Sequence, residues 1–159
     1  MNPFRLQIAL AVAVLATLSL AAGALLGNRA VSNVFEPGST QKVLTMAAVL
    51  EEGAATPTDK FVIPPTLRWK GVKTFHDHKP HGTLHLTLTG ILAQSSNIGT
   101  IKAATRIGPE KLYEYLQKFG FGSRIGSGLA GESAGILPNI DGWSATSFPT
   151  IAFGQGVSV

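Results

Sequence analysis

In Glu36-Pro37-Gly38-Ser39-Thr40-Gln41-Lys42 a hydroxyl and an amine stand three residues apart at the head of an apolar run. Val43 to Glu52, closed by Gly53, has the composition of a helix with a glycine stop. Ser39 then falls at or within the first turn and shares a face with Lys42, because residues three apart on a helix are neighbours. A serine hydroxyl is a poor nucleophile until a base stands beside it, and a lysine desolvated at a helix N-terminus supplies one. The helix dipole acts in the same direction, disfavouring the ammonium and favouring an anion that forms near Ser39. The tetrad also reads as a plain helix start, since Ser-Thr is a good N-cap and Pro-Gly an ordinary turn. A second motif downstream, Ser95-Ser96-Asn97, bears on the choice.

Other candidate constellations are weaker. Phe75 to His85 holds all four histidines and Asp77, and imidazole and carboxylate are zinc ligands. The spacing is not that of a zinc finger, and Lys79 and Pro80 interrupt any helix that would present a pair four residues apart. A polar surface loop leading into a helix is the expectation, with zinc as the alternative. Gly154-x-Gly156 is too little for a nucleotide fingerprint, and Gly126-Ser127-Gly128 is not a nucleophile elbow. No cofactor is expected, and the absence of cysteine excludes disulfides and thiolate metal sites. The formal charge is +4 and the pI about 9.6, with Lys and Arg scattered, so a nucleic-acid patch is not indicated. A mildly basic face suits an anionic membrane or cell-wall polymer.

The positioning elements follow from periodicity and breakers. Lys60 to Pro65 reads as a short strand stopped by two prolines. Thr66 to Thr74 reads as a second strand or hairpin turning at Gly71, with Leu67, Trp69 and Val72 inward. Helices are expected over Thr87 to Gln94, Ile98 to Ile107 and Pro109 to Phe119, the last with Leu112, Tyr113, Tyr115, Leu116 and Phe119 along one stripe. From Phe121 onward Gly, Ser and Pro dominate, consistent with loops packed around a site.

Residues 1–27 differ from the rest. Ile8 to Leu26 carries no charge and reaches the roughly twenty residues that cross a bilayer. An uncleaved signal anchor is the expectation, with Arg5 on the cytoplasmic side. A cleaved signal ending near Ala22-Gly23-Ala24 and a buried core helix are the alternatives.

The order Phe35-Glu36-Pro37-Gly38-Ser39-x-x-Lys42, Ser95-Ser96-Asn97, then Phe153-Gly154-Gln155-Gly156-Val157-Ser158-Val159 resembles the transpeptidase domain of class B penicillin-binding proteins. The resemblance covers residues 28–159. It implies an α+β, β-lactamase-like transpeptidase fold, a five-stranded antiparallel sheet between helical layers, here incomplete and mostly its helical part, behind one transmembrane helix. It implies a peptidoglycan D,D-transpeptidase that cross-links stem peptides in cell-wall synthesis or cell division. Ser39 would be the nucleophile toward a stem peptide or β-lactam, and Lys42 its base. Ser95 would relay a proton to the leaving amine, and Asn97 would bind the substrate backbone and orient Lys42. The Ser39 backbone N–H would form one arm of the oxyanion hole.

The implied location is the bacterial inner membrane, single-pass through residues 8–26 with the catalytic part outside, and the implied protein partners belong to the divisome or elongation complex. Lys-Thr-Gly, the family's third motif, does not follow Asn97. The chain is therefore expected to behave as an incomplete domain, weakly active or inactive by itself and prone to aggregate. The alternative is a non-catalytic membrane-anchored protein of the same descent that binds a cell-wall or divisome partner.

Overall fold

The computed structural model describes residues 12–18 and 28–159. Two compact units divide the chain: residues 1–33 with 124–133, and residues 34–123 with 134–159. In the first unit, helix α1 (12–18) and the single turn α2 (Arg29–Ser32) accompany a loop folded around one carboxylate. Glu132 accepts from the Gly126 and Ser127 amides at 2.9 and 2.8 Å and from the Ser127 hydroxyl at 2.7 Å. Among the described residues no helix is long and apolar enough to cross a membrane. The span expected over 8–26 falls largely outside the described residues.

The second unit is built on helices α3 (Lys42–Glu51), α4 (Leu88–Ala93), α5 (Asn97–Ala104), α6 (Gly108–Lys118) and α7 (Ser147–Ala152). Its strands form two antiparallel pairs. β1 (Lys60–Ile63) pairs with β4 (Leu84–Thr87), Phe61 opposite Leu86, and β2 (Leu67–Trp69) pairs with β3 (Lys73–Phe75). The three residues between the paired Trp69 and Lys73 turn through Lys70 and Gly71 at φ +45° and +74°, and the Val72 amide closes the turn on the Trp69 carbonyl at 2.9 Å.

Helix α5 is the centre. Ile98, Gly99, Thr100, Ile101, Ala103 and Ala104 are all buried, the pattern of a helix packed on every side. One apolar cluster joins it to Met46 and Val49 of α3, Phe61 and Ile63 of β1, and Leu88 and Ile91 of α4. A second cluster joins Ala104 to Leu112 and Leu116 of α6 and to Phe148, Ile151 and Ala152 of α7. Each fully buried Ile or Leu contributes about 1.5–3 kcal/mol relative to exposure, so these clusters outweigh the weak intrinsic preference of such short helices.

Several sequence expectations need correction. Leu84 to Thr87, expected as loop and helix start, is a strand; Thr87 caps α4 by accepting from the Gly90 amide at 3.0 Å. The partner of β4 lies more than twenty residues back, so the local pattern carried no sign of the pairing. Helix α5 ends at Ala104, where Arg106 and Ile107 fold back in tight turns onto Ala103 and Ala104. Val72, expected inward, is 66% exposed because it lies just beyond the hairpin turn. Phe119, at the end of the α6 stripe, is likewise half exposed. Ser39 lies in a 3-10 turn, Gly38–Gln41, that leads into α3.

That turn is set by the far end of the chain. The Gly38 amide donates to the Gly154 carbonyl at 2.9 Å, and the Gly156 amide donates to Glu36 Oε1 at 2.8 Å. Phe35 and Val159 exchange both backbone bonds, and Ser158 pairs with Ile136. Gly154 has φ +95°, and a Cβ there would overlap the Gly38 carbonyl. Gly154→Ala is therefore expected to lower stability by about 2 kcal/mol through strain and backbone overlap. Urea unfolding checks this: an unchanged midpoint would mean that the approach of Gly154 to Gly38 is not a constraint.

Candidate active site

A cleft of about 720 Å³ lies where α3, the segment before α5 and the loop after β3 meet. Ser39, Lys42, Ser95 and Asn97 all line it, so the two motifs separated in sequence share one cavity. Gly38, Phe153 and Gln155 close one wall, and Asp77, His78, Lys79 and His81 form another.

Lys42 is the first residue of α3 and is only 1% exposed. Its ammonium donates to the Ser95 carbonyl at 2.5 Å and to Ser95 Oγ at 3.0 Å. Ser95 has φ +53°, a conformation that costs about 1–3 kcal/mol in a non-glycine residue and persists only where surroundings enforce it. The left-handed turn faces the Ser95 carbonyl and hydroxyl to one point, and Lys42 occupies that point. Burial pulls the Lys42 pKa down from 10.5 to about 8, against the opposing pull of the Asp77 carboxylate. A useful fraction of neutral amine thus exists near neutral pH, as a base toward a serine requires.

Ser39 is exposed at the cleft. It is the second residue of its turn, so its backbone N–H precedes the first amide that the turn can satisfy and is free to bind a developing anion. Asn97 is the first residue of α5, and its amide donates to the His76 carbonyl at 3.1 Å. Both bonds of Lys42 go to Ser95, so in this structure Ser95 is what orients the amine.

Residues that the sequence reading assigned to a surface loop are part of the cleft. Asp77 Oδ1 accepts from the Ile98 amide at 2.9 Å, while Oδ2 accepts from the Ser96 hydroxyl at 2.6 Å and meets His81 Nε2 at 3.0 Å. Ser96, given no role from sequence, is the N-cap of α5 and accepts from the Gly99 amide at 2.8 Å. A local signal existed for the cap, a Ser followed by a helical run, but none for Asp77, which stands 21 residues before the Ile98 amide it accepts from. Among the described residues no group of three His, Cys, Asp or Glu side chains gathers to hold a metal.

The family model of the penicillin binding protein transpeptidase domain matches residues 13–159, and the chain belongs to that family. It is 46% identical over 134 residues to penicillin-binding protein PbpB of Mycobacterium tuberculosis, covering 84% of this chain and 20% of that protein. It is 33% identical over 133 residues to peptidoglycan D,D-transpeptidase FtsI of Escherichia coli, covering 83% of this chain and 22% of that one. The crystal structure of penicillin binding protein 3 from Mycobacterium tuberculosis complexed with aztreonam superposes with a TM-score of 0.81 at 46% identity, over 84% of this chain and 30% of that one. The matched part of the chain accordingly has the fold of the corresponding part of that transpeptidase protein, with mixed helix and strand content. The chain spans about a fifth of the length of these two relatives.

The buried lysine makes stability depend on pH in a known direction. With its pKa lowered to about 8, the folded chain holds fewer protons than the unfolded chain between pH 8 and the ordinary lysine value. Lys42 therefore makes folding stability rise with pH across that window. Denaturant unfolding at pH 7.5 and 10, compared with Lys42→Met, is expected to give a more positive pH dependence in the parent chain; equal dependence in both would contradict the assignment.

Proposed function

We propose that this chain carries the serine and lysine half of a peptidoglycan D,D-transpeptidase site and reacts through an acyl-enzyme on Ser39. The observation that supports this most is the buried Lys42, with its lowered pKa, bonded to Ser95 in the cleft that Ser39 also lines. Neutral Lys42 takes the Ser39 proton as Oγ attacks the penultimate D-alanine carbonyl of a stem peptide. The Ser39 N–H stabilises the oxyanion, and one such donor is worth about a hundredfold to a thousandfold in rate. Ser95, hydrogen-bonded to Lys42 and lining the cleft, passes a proton to the leaving amine as the tetrahedral intermediate collapses. Asn97 offers its amide to the substrate backbone. The acceptor amine of a second stem peptide then takes the acyl group, forming the cross-link and freeing Ser39. A β-lactam enters by the same attack, but its opened ring stays attached.

The location that goes with this function is the bacterial cytoplasmic membrane, anchored by residues 8–26 with the cleft outside. The uncharged run Ile8 to Leu26 supports it. Divisome or elongation-complex proteins are the corresponding partners.

The test is intact-mass spectrometry of the 159-residue chain after prolonged incubation with excess benzylpenicillin. The expected product is a slow, single adduct that maps to Ser39 and is absent in Ser39→Ala. An adduct elsewhere, or one that persists in Ser39→Ala, would overturn the assignment. A folded chain that gives no adduct at all would favour the non-catalytic binding protein.

A further inference from the structure

Asp77 and His81 touch no atom to which the reaction above gives a part, yet both carboxylate oxygens of Asp77 and both ring nitrogens of His81 meet a partner. The Asp77 carboxylate is an acceptor, so Ser96 must donate its hydroxyl proton to it, and the Gly99 amide fills the other side of that hydroxyl. His81 Nδ1 faces the Gly82 carbonyl at 2.5 Å while Nε2 faces Asp77. Both ring nitrogens meet acceptors, and only the imidazolium donates from both. The Asp77 and His81 side chains are 9% and 14% exposed, so neither bond is readily replaced by water. Next to this pair, the His76 carbonyl holds the Asn97 amide. Residues 76–77 thus fasten Ser96, Asn97 and Ile98 in succession, immediately after the left-handed Ser95 that holds Lys42.

We propose that Asp77 and His81 are positioning residues for the acyl-transfer site: Asp77 holds the start of α5 so that Ser95 and Asn97 face the cleft, and the His81 imidazolium holds Asp77. The proposal rests on the acyl-transfer reading for its effect on rate, while the coupling of His81 to the serine turn is measured without any reaction. Loss of the His81 proton turns one of its two bonds, to the Gly82 carbonyl or to the Asp77 carboxylate, into a repulsion between acceptors, so His81 no longer ties the carboxylate to the Gly82 backbone.

The titratable groups that line the cleft beside the pair are His78 and Lys79 from its own loop and Lys42 from α3. From α5 only the uncharged Ser96, Asn97 and Ile98 meet it. The Gly82 carbonyl raises the His81 pKa most, desolvation opposes it, and Asp77 adds to the rise. The clamp is therefore made at lower pH and released as pH rises through the raised His81 pKa.

Side-chain and backbone NMR of the isotope-labelled chain tests this. Both His81 ring nitrogens are expected to carry protons at pH 6, with a midpoint above that of an ordinary histidine. The backbone amides of Ser95, Asn97 and Ile98 are expected to shift with the same midpoint, an inflection absent in His81→Gln. A His81 that titrates without moving those amides, or a ring with one protonated nitrogen at pH 6, overturns the proposal. In Asp77→Asn the Lys42 titration is expected to move down, because the carboxylate that raises it is gone. Benzylpenicillin labelling of Ser39 is expected to slow about tenfold or more in the same variant, the loss typical for a hydrogen bond to a charged group. Labelling at the parent rate overturns the positioning role. If the parent chain forms no Ser39 adduct, the acyl-transfer reading fails, and the amide titration still decides whether His81 controls the turn.

Discussion

A lysine ammonium enclosed at the head of a helix is the constraint around which this structure is arranged. Moving such a charge out of water costs several kcal/mol unless hydrogen bonds are waiting for it. Here they come from the carbonyl and hydroxyl of one residue, Ser95, presented by a backbone conformation that serine adopts only under compulsion. The compulsion comes from both sides of Ser95. Before it, α4 closes with the Gln94, Ser95 and Ser96 amides bonded back to Gly90, Leu92 and Ile91. After it, α5 begins with a cap that Asp77 reinforces. The remaining desolvation is expressed chemically, as a lysine whose pKa has fallen to about 8.

The helix that carries Lys42 is anchored in turn by polar bonds to its neighbour. The Gln41 amide donates to the Ile151 carbonyl and the Thr45 hydroxyl to the Ala152 carbonyl, both at the C-terminal end of α7. Gln41 stands between Ser39 and Lys42, so its bond to α7 fixes the entry into α3 at the point where both side chains are placed. The same end of α7 leads into Gly154, which supports Gly38 and so places Ser39. Lys42 is thus held by the turn between α4 and α5, and Ser39 by α7 and the chain that follows it.

Much of the site was legible because its carriers are local patterns. Ser39 and Lys42 stand one turn apart by arithmetic, the apolar run behind them makes a helix, and Ser95 to Asn97 precede another. The α6 stripe announced Leu112 and Leu116 as core, and both are buried. What escaped was non-local. β4 was missed because its partner strand lies far back in the chain, and the histidine loop was read as solvated because its ligands belong to α5. In that loop His81 donates to Asp77, and Asp77 spends its lone pairs on Ser96 and Ile98.

The sequence by itself determined which residues could react and which helices would carry them, because nucleophile, base and helical period are properties of short spacing. Family membership belongs to that same level, since ordered motifs survive in a chain one-fifth the length of its relatives. Tertiary structure alone decided that Lys42 faces Ser95, that Asp77 holds the start of α5, and that Gly154 props the turn carrying Ser39. These depend on burial and on partners more than twenty residues apart, and the free energy that enforces them comes from packing α5 among its neighbours, which no local stretch of residues encodes.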